Sequence, residues 1–155
     1  MKKILIALDY NKSAQEVAEI GYSLAKSMNA EAILFHAITE VADYSAFQYG
    51  PVMGFPGYID PDFRGTNDTT ELKNKSLSYL DQIKKHLGDK KIKMEVAEGK
   101  AADTILYAAN EMKADIIVIG SHSKIWIEKI LVGSVTEEVL RDSTIPMFII
   151  PVREK

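Results

Sequence analysis

DIIVIGSHSKIWIEKILVGSVTEEVL, residues 115–140, decides how the rest of the chain is read. After Asp115 the run Ile116, Ile117, Val118, Ile119 is apolar without alternation, as in a strand buried on both faces. The run ends at Gly120, passes through a loop and reaches Gly133-Ser134, where a helical pattern starts. A strand that feeds a Gly- and Ser-containing loop into a helix N-terminus builds an anion site. Backbone N–H groups converge there, and the helix dipole adds partial positive charge at the same place. Phosphate is the kind of ligand such a loop suits.

Outward from this stretch the pattern repeats. Lys3 to Leu8 (KILIAL) is another nearly continuous apolar run, broken by Asp9, Tyr10, Asn11 and Lys12. Ser13-Ala14-Gln15-Glu16 has capping-box spacing, and Ala14, Val17, Ala18, Gly21, Leu24, Ala25 and Met28 then recur as one face of a helix. Asn29 is a left-handed stop. Ala32 to Ile38 (AILFHAI) is a second buried strand. Residues 40–67 lose all periodicity, yet Tyr44, Phe47, Tyr49, Phe55, Tyr58 and Phe63 alternate there with glycines and prolines. A connection that long is normally a flap or interaction loop, and its aromatics argue against plain disorder.

Asp68 to Leu87 reads as the second helix, with Leu72, Ser76, Leu80, Ile83 and Leu87 inward, and Gly88 ends it. Lys91 to Ala97 (KIKMEVA) alternates like a half-exposed edge strand. A third helix runs from Ala101 to about Met112. Ser134-Val135-Thr136-Glu137 repeats the capping-box spacing and opens a fourth helix with Val135, Val139 and Leu140 inward. Pro146 to Val152 (PMFIIPV) is the last strand, bracketed by prolines. Five strands alternating with four helices make an α/β, doubly wound parallel sheet with helices on both faces.

The bulk numbers bound the function. A chain of 155 residues without an internal repeat or linker is expected to form a single domain over 1–155. Net charge is −3, so no basic field argues for nucleic acid or an anionic membrane. No apolar run approaches the ~20 residues that span a bilayer, and Ile4 to Leu8 is too short for a signal peptide. The chain has no cysteine, which excludes disulfides and thiolate metal sites. A cytoplasmic location is expected. His36, His86 and His122 are not at ligand spacing, so no metal site is assigned.

Two familiar phosphate signatures are absent. Where a dinucleotide fold needs Gly-x-Gly-x-x-Gly after the first strand, this chain has Asp9-Tyr10-Asn11-Lys12-Ser13, and no P-loop motif occurs. The glycines follow the fourth strand instead. There Gly120-x-x-Ser123, nine residues and Gly133-Ser134 resemble the Gly-x-x-Gly-(nine)-Gly-Ser/Thr motif of ATP-binding universal stress proteins. The resemblance extends to KILIALD, LFHAI, GSVTEEVL and PMFIIPV, and so to essentially the whole chain.

It implies a Rossmann-like sheet of order 3-2-1-4-5, with ATP, or AMP or ADP, across the ends of strands one and four, and Mg²⁺ accompanying the phosphates. Carried over by position, Ala7, Leu8 and Asp9 lie beside the adenosine, with Asp9 an acceptor from adenine or ribose. Ala37 offers backbone groups to the adenine edge. Gly120, Ser121, His122, Ser123, Lys124 and Ile125, with Gly133, Ser134 and Val135, wrap ribose and phosphates. Ser123 stands where the family has its second glycine. If that position needs positive φ, serine strains it by ~1–3 kcal/mol; if φ is negative, its hydroxyl adds a donor.

Plainer readings stand beside these. Asp9 also suits a residue that turns the chain after a strand, and Ser134 suits an N-cap with or without phosphate. No nucleophile–base–acid constellation is legible, so no catalytic residue is assigned and any ATP hydrolysis should be slow. The alternative to a nucleotide-dependent regulatory protein is a nucleotide-free relative that binds a protein client. Met147, Phe148, Ile149 and Ile150 carry no charge, and a bare edge strand invites pairing. Family members pair this strand across a two-fold axis, which implies a homodimer.

Overall fold

Strand and helix alternate along the whole of the described chain, which in the computed structural model comprises residues 1–39, 69–121 and 134–152. The elements are β1 (Lys3–Ala7), α1 (Ala14–Ser27), β2 (Glu31–Ile38), α2 (Thr69–Leu87), β3 (Lys93–Glu98), α3 (Ala101–Glu111), β4 (Ile116–Ser121), α4 (Ser134–Asp142) and β5 (Met147–Pro151). The aromatic segment from Tyr44 to Phe63 and the loop residues 122–133 lie outside the described residues.

The strands form one sheet of order β3-β2-β1-β4-β5, and each neighbouring pair is parallel. Side chains alternate across it. Ile4, Ile6, Leu34, Val118 and Ile150 face one layer, where Val17, Ala18 and Ala25 of α1 and Leu72, Tyr79, Leu80 and Ile83 of α2 pack on them. Leu5, Ala7, Phe35, Ile117 and Ile119 face the other, against Ala102, Ile105, Ala108 and Ala109 of α3 and Val139 of α4. Both faces of the central strands are therefore dry, which is why β1, β2 and β4 read as unbroken apolar runs. Each fully buried Leu, Ile or Phe contributes about 1.5–3 kcal/mol. β3, at an edge, keeps only Val96 buried, as its alternating sequence foretold.

Two helix ends and one helix face depart from the sequence reading, while one expected end holds. Ser13 is already in a helical conformation (ψ −3°) and makes no capping side-chain bond. A capping box needs an extended residue there, and the turn closed by Ala14 N–H on the Asn11 carbonyl starts the helix instead. Asn29 does take the left-handed stop (φ 51°), with Ala30 N–H reaching back to the Ala25 carbonyl. Lys113 does the same after α3 (φ 55°), with Ala114 N–H on the Ala109 carbonyl, although no Gly or Asn marks it. In α4 Val135, Thr136 and Val139 face inward, Val135 half-buried against the second core layer, while Leu140, expected inside, is 41% exposed. The helix is rolled so that its 135–136–139 line, rather than 135–139–140, meets the sheet.

Gly21 sets the spacing between α1 and β1. A Cβ there would lie 3.0 Å from both Cδ1 and Cγ1 of Ile6, a fully buried side chain. Gly21→Ala gains about 1 kcal/mol of helix propensity but overpacks the interface at about 1–3 kcal/mol. A net loss of about 1 kcal/mol is expected in urea unfolding; a stabilised variant would show that α1 can retreat from the sheet without cost.

Candidate functional site

The strand order reverses at β1, with β2 on one side and β4 on the other. The helix that follows β1 packs on one face, and α4, which follows β4, packs on the opposite face. Connections that leave to opposite sides open a crevice at the carboxyl ends of these strands, the place where α/β sheets take ligands. Here the crevice is deepened by unequal strand lengths. Ala7, the last residue of β1, is in register with Phe35 and Ile119. β2 then continues through His36, Ala37 and Ile38, and β4 through Gly120 and Ser121. The exit of β1 thus lies in a notch between two longer strands.

Leu8 and Asp9 occupy that notch. Leu8 N–H still bonds the Phe35 carbonyl at 2.8 Å, and its side chain is buried. Asp9 is exposed, and its Oδ1 accepts the Asn11 N–H at 2.9 Å. This bond is the chain-turning role that the plainer reading gave Asp9, and it holds an anionic group at the mouth of the crevice. Ala37 is half-buried on the β2 wall, in register with Ala97 of β3.

On the β4 wall, Gly120 does not end the strand. It pairs with Ile150, and Ser121 pairs with Pro151. Ser121 is fully buried and its carbonyl accepts the Val152 N–H at 2.9 Å. Thr136, 4% exposed, donates its hydroxyl to the Gly120 carbonyl at 3.1 Å. This bond ties the first turn of α4 to the end of β4, so the helix N-terminus that begins at Ser134 sits at the crevice. Val135 is half-buried against the second core layer. Sequence reasoning passed over Thr136; a threonine two residues into a helix gives no signal that its hydroxyl is turned inward onto a strand. His122, Ser123, Lys124, Ile125 and Gly133 lie outside the described residues.

Beneath Asp9 the structure gathers a polar and aromatic cluster that the sequence did not connect. His36 is 4% exposed, and its Nδ1–H donates to the Leu8 carbonyl at 2.8 Å. The carbonyl only accepts, so this nitrogen carries the proton. Tyr10 stacks at a tilt on His36 (4.4 Å between ring centroids) and on Tyr79 (4.7 Å). Tyr79 OH donates to the Asp9 carbonyl at 2.7 Å, and Tyr10 OH and Ser76 Oγ share a hydrogen bond of 2.9 Å. Burial holds the His36 pKa below its ordinary 6.5, opposed by the Leu8 hydrogen bond and the nearby charge of Asp9. Among the described residues, no three His, Asp or Glu side chains gather as a metal group, and no helix is long and apolar enough to cross a membrane.

Comparison with known proteins adds to this geometry. A family model described as universal stress protein family matches residues 1–151. Universal stress protein MJ0577 of Methanocaldococcus jannaschii is 32% identical, over 96% of this chain and 94% of that protein. The solved structure of MJ0577 superposes with a TM-score of 0.67 at 25% identity, covering 99% of this chain and 98% of that one. A universal stress protein of Archaeoglobus fulgidus, solved in complex with dAMP, has the same fold at a TM-score of 0.58 and 19% identity, over 97% and 98% of the two chains.

The depressed pKa of His36 makes stability depend on pH. Between its ordinary value of 6.5 and its lower folded value, the unfolded chain holds a proton that the native state refuses. Stability is therefore full above about pH 6.5 and falls as the pH drops below it, by at most about 1.4 kcal/mol per unit from this group. Denaturant titrations at pH 7.5, 6.5 and 5.5 should show the decline, and His36→Gln should flatten it. An equal slope in the variant would assign the effect elsewhere.

Proposed function

The chain belongs to the universal stress protein family, and we propose that it binds an adenine nucleotide, ATP in the first instance, in the crevice at the ends of β1 and β4. The observation that carries this reading is the notch itself. A strand exit bearing an exposed carboxylate lies between two longer strands, with the start of α4 tied alongside by the Thr136 bond to Gly120. The groups present suit the ligand, with the Asp9 carboxylate to accept from adenine N–H groups or ribose hydroxyls, and a helix N-terminus to donate to phosphate. The same fold in a relative that holds dAMP is in keeping with it.

In this reading Ala7, Leu8 and Asp9 flank the adenosine, and Ala37 meets the adenine edge. Residues 120–125 and 133–135 surround ribose and phosphates. Gly120 would contribute an absent side chain rather than its carbonyl, which Thr136 already engages. Mg²⁺ would enter with the phosphates and supply charge neutralisation. The protein is then a cytoplasmic, nucleotide-dependent regulator in the stress response, with hydrolysis slow at most.

A second element of the proposal is a homodimer through β5. Its outer edge is unpaired among the described residues, and Phe148 is 41% exposed beside half-buried Met147 and Ile149. Antiparallel pairing with a second copy would satisfy the edge and cover Phe148.

Denaturing the purified protein should release an adenine nucleotide, or calorimetry at millimolar ATP should give binding heat, with AMP and ADP titrated beside it. Asp9→Ala and Gly133→Val should each weaken ATP about tenfold or more. No released nucleotide and no heat would leave the chain as a nucleotide-free module for a protein client. For the assembly, sedimentation at micromolar concentration should give twice the chain mass, and Phe148→Asp should give the monomer. A monomeric wild type excludes the dimer.

A further inference from the structure

We propose that His36 and Tyr79 are positioning residues for the crevice: they hold the backbone of Leu8 and Asp9 so that the Asp9 carboxylate is set in place before any ligand arrives. The inference deepens the nucleotide reading and rests on it.

β1 ends at Ala7, and the two carbonyls that follow are both taken up by buried side chains from other elements. Leu8 is held by His36 of β2 at 2.8 Å and Asp9 by Tyr79 of α2 at 2.7 Å. The next residue, Tyr10, is fastened through its hydroxyl to Ser76, also of α2, and the one after, Asn11, closes onto the Asp9 carboxylate. Four consecutive residues are thus gripped one after another, although the strand ladder has stopped. The gripping groups cannot move easily. Tyr79 is fully buried, His36 nearly so, and the rings of Tyr10, His36 and Tyr79 pack within 4.4–6.2 Å of each other.

A loose turn at this position would have to be ordered on binding, and the ordering would be subtracted from affinity. A turn anchored from beneath by rigid, buried donors has already lost that freedom in the fold. The two donors are chemically suited to such anchoring. A neutral imidazole with its proton on Nδ1 and a phenol each donate one strong bond to a carbonyl, and neither adds charge that would repel or neutralise Asp9. Neither is expected to touch the ligand; both act through Asp9.

Tyr79→Phe removes one oxygen and keeps the ring. It should raise the Kd for ATP about three- to tenfold in calorimetry, and should change it little in an Asp9→Ala background, because the grip then has nothing to position. His36→Gln, which keeps an N–H donor, should retain more affinity than His36→Leu. Tyr22→Phe on α1, which loses a comparable bond to Asp89, serves as the control and should leave Kd unchanged.

Hydrogen exchange on the ligand-free protein gives an independent reading. In Tyr79→Phe the Asn11 amide should exchange several-fold faster relative to the Leu5 and Ile6 amides, and in Tyr22→Phe it should not. An unchanged Asn11 rate, or an equal loss of affinity with and without Asp9, overturns the inference. If wild type gives no ATP heat, the nucleotide reading fails, while the Asn11 rate still decides whether the grip exists.

Discussion

β1 is paired with β2 from Lys3 to Ala7 on one side and with β4 from Ile4 to Ala7 on the other, and it stops before either of them does. Most of the molecule follows from that constraint. A strand paired on both edges and covered on both faces has to be apolar throughout, so Ile4, Leu5 and Ile6 are all fully buried. Its neighbours must leave helices on opposite faces to close both layers. Where it stops, the sheet has a gap that cannot be filled by strand, and the chain must turn inside it.

What occupies the gap is polar because backbone groups released from a ladder need new partners. His36 and Tyr79 supply them to Leu8 and Asp9, and Thr136 supplies one to Gly120 on the other wall. These bonds link elements far apart in sequence to the rim of a single crevice. They also bring α2 and α4, from opposite layers, to bear on the place where a nucleotide is proposed to sit. The outer edge at β5 is a different matter. There the outer strand has no second neighbour among the described residues, and the exposed Phe148 gives that edge an apolar rim, the basis of the proposed pairing with a second copy.

The strands and helices were legible because their periods were unmixed. Short continuous runs such as ILIAL and IIVI, bounded by turn residues, read as strands buried on both faces, and Asn29 and Gly88 mark true left-handed ends. The family resemblance, carried by the spacing from Gly120 to Ser134, supplied the strand order. Smaller details were less legible. Ser13 fits the capping-box spelling but not its backbone, since spacing does not report ψ. Leu140 fits the apolar stripe of its helix yet faces outward, since a helix with nine residues can roll by one position without breaking its pattern.

The sequence by itself determined the class of the fold, the location of the crevice along the chain and the choice of Asp9 as a residue of interest. The first two are consequences of local periodicity and of motif spacing, which residues impose on their near neighbours; Asp9 was carried over by position from the family resemblance. Only the tertiary structure decided what holds Asp9 in place. Tyr79 reaches it from 70 positions away, His36 holds the adjoining Leu8 across 28, and Thr136 meets Gly120 across 16. A hydrogen bond between a side chain and a distant carbonyl leaves no period and no spacing in the chain. It exists only when the sheet has brought β1, β2 and β4 together and the helices have been rolled onto them.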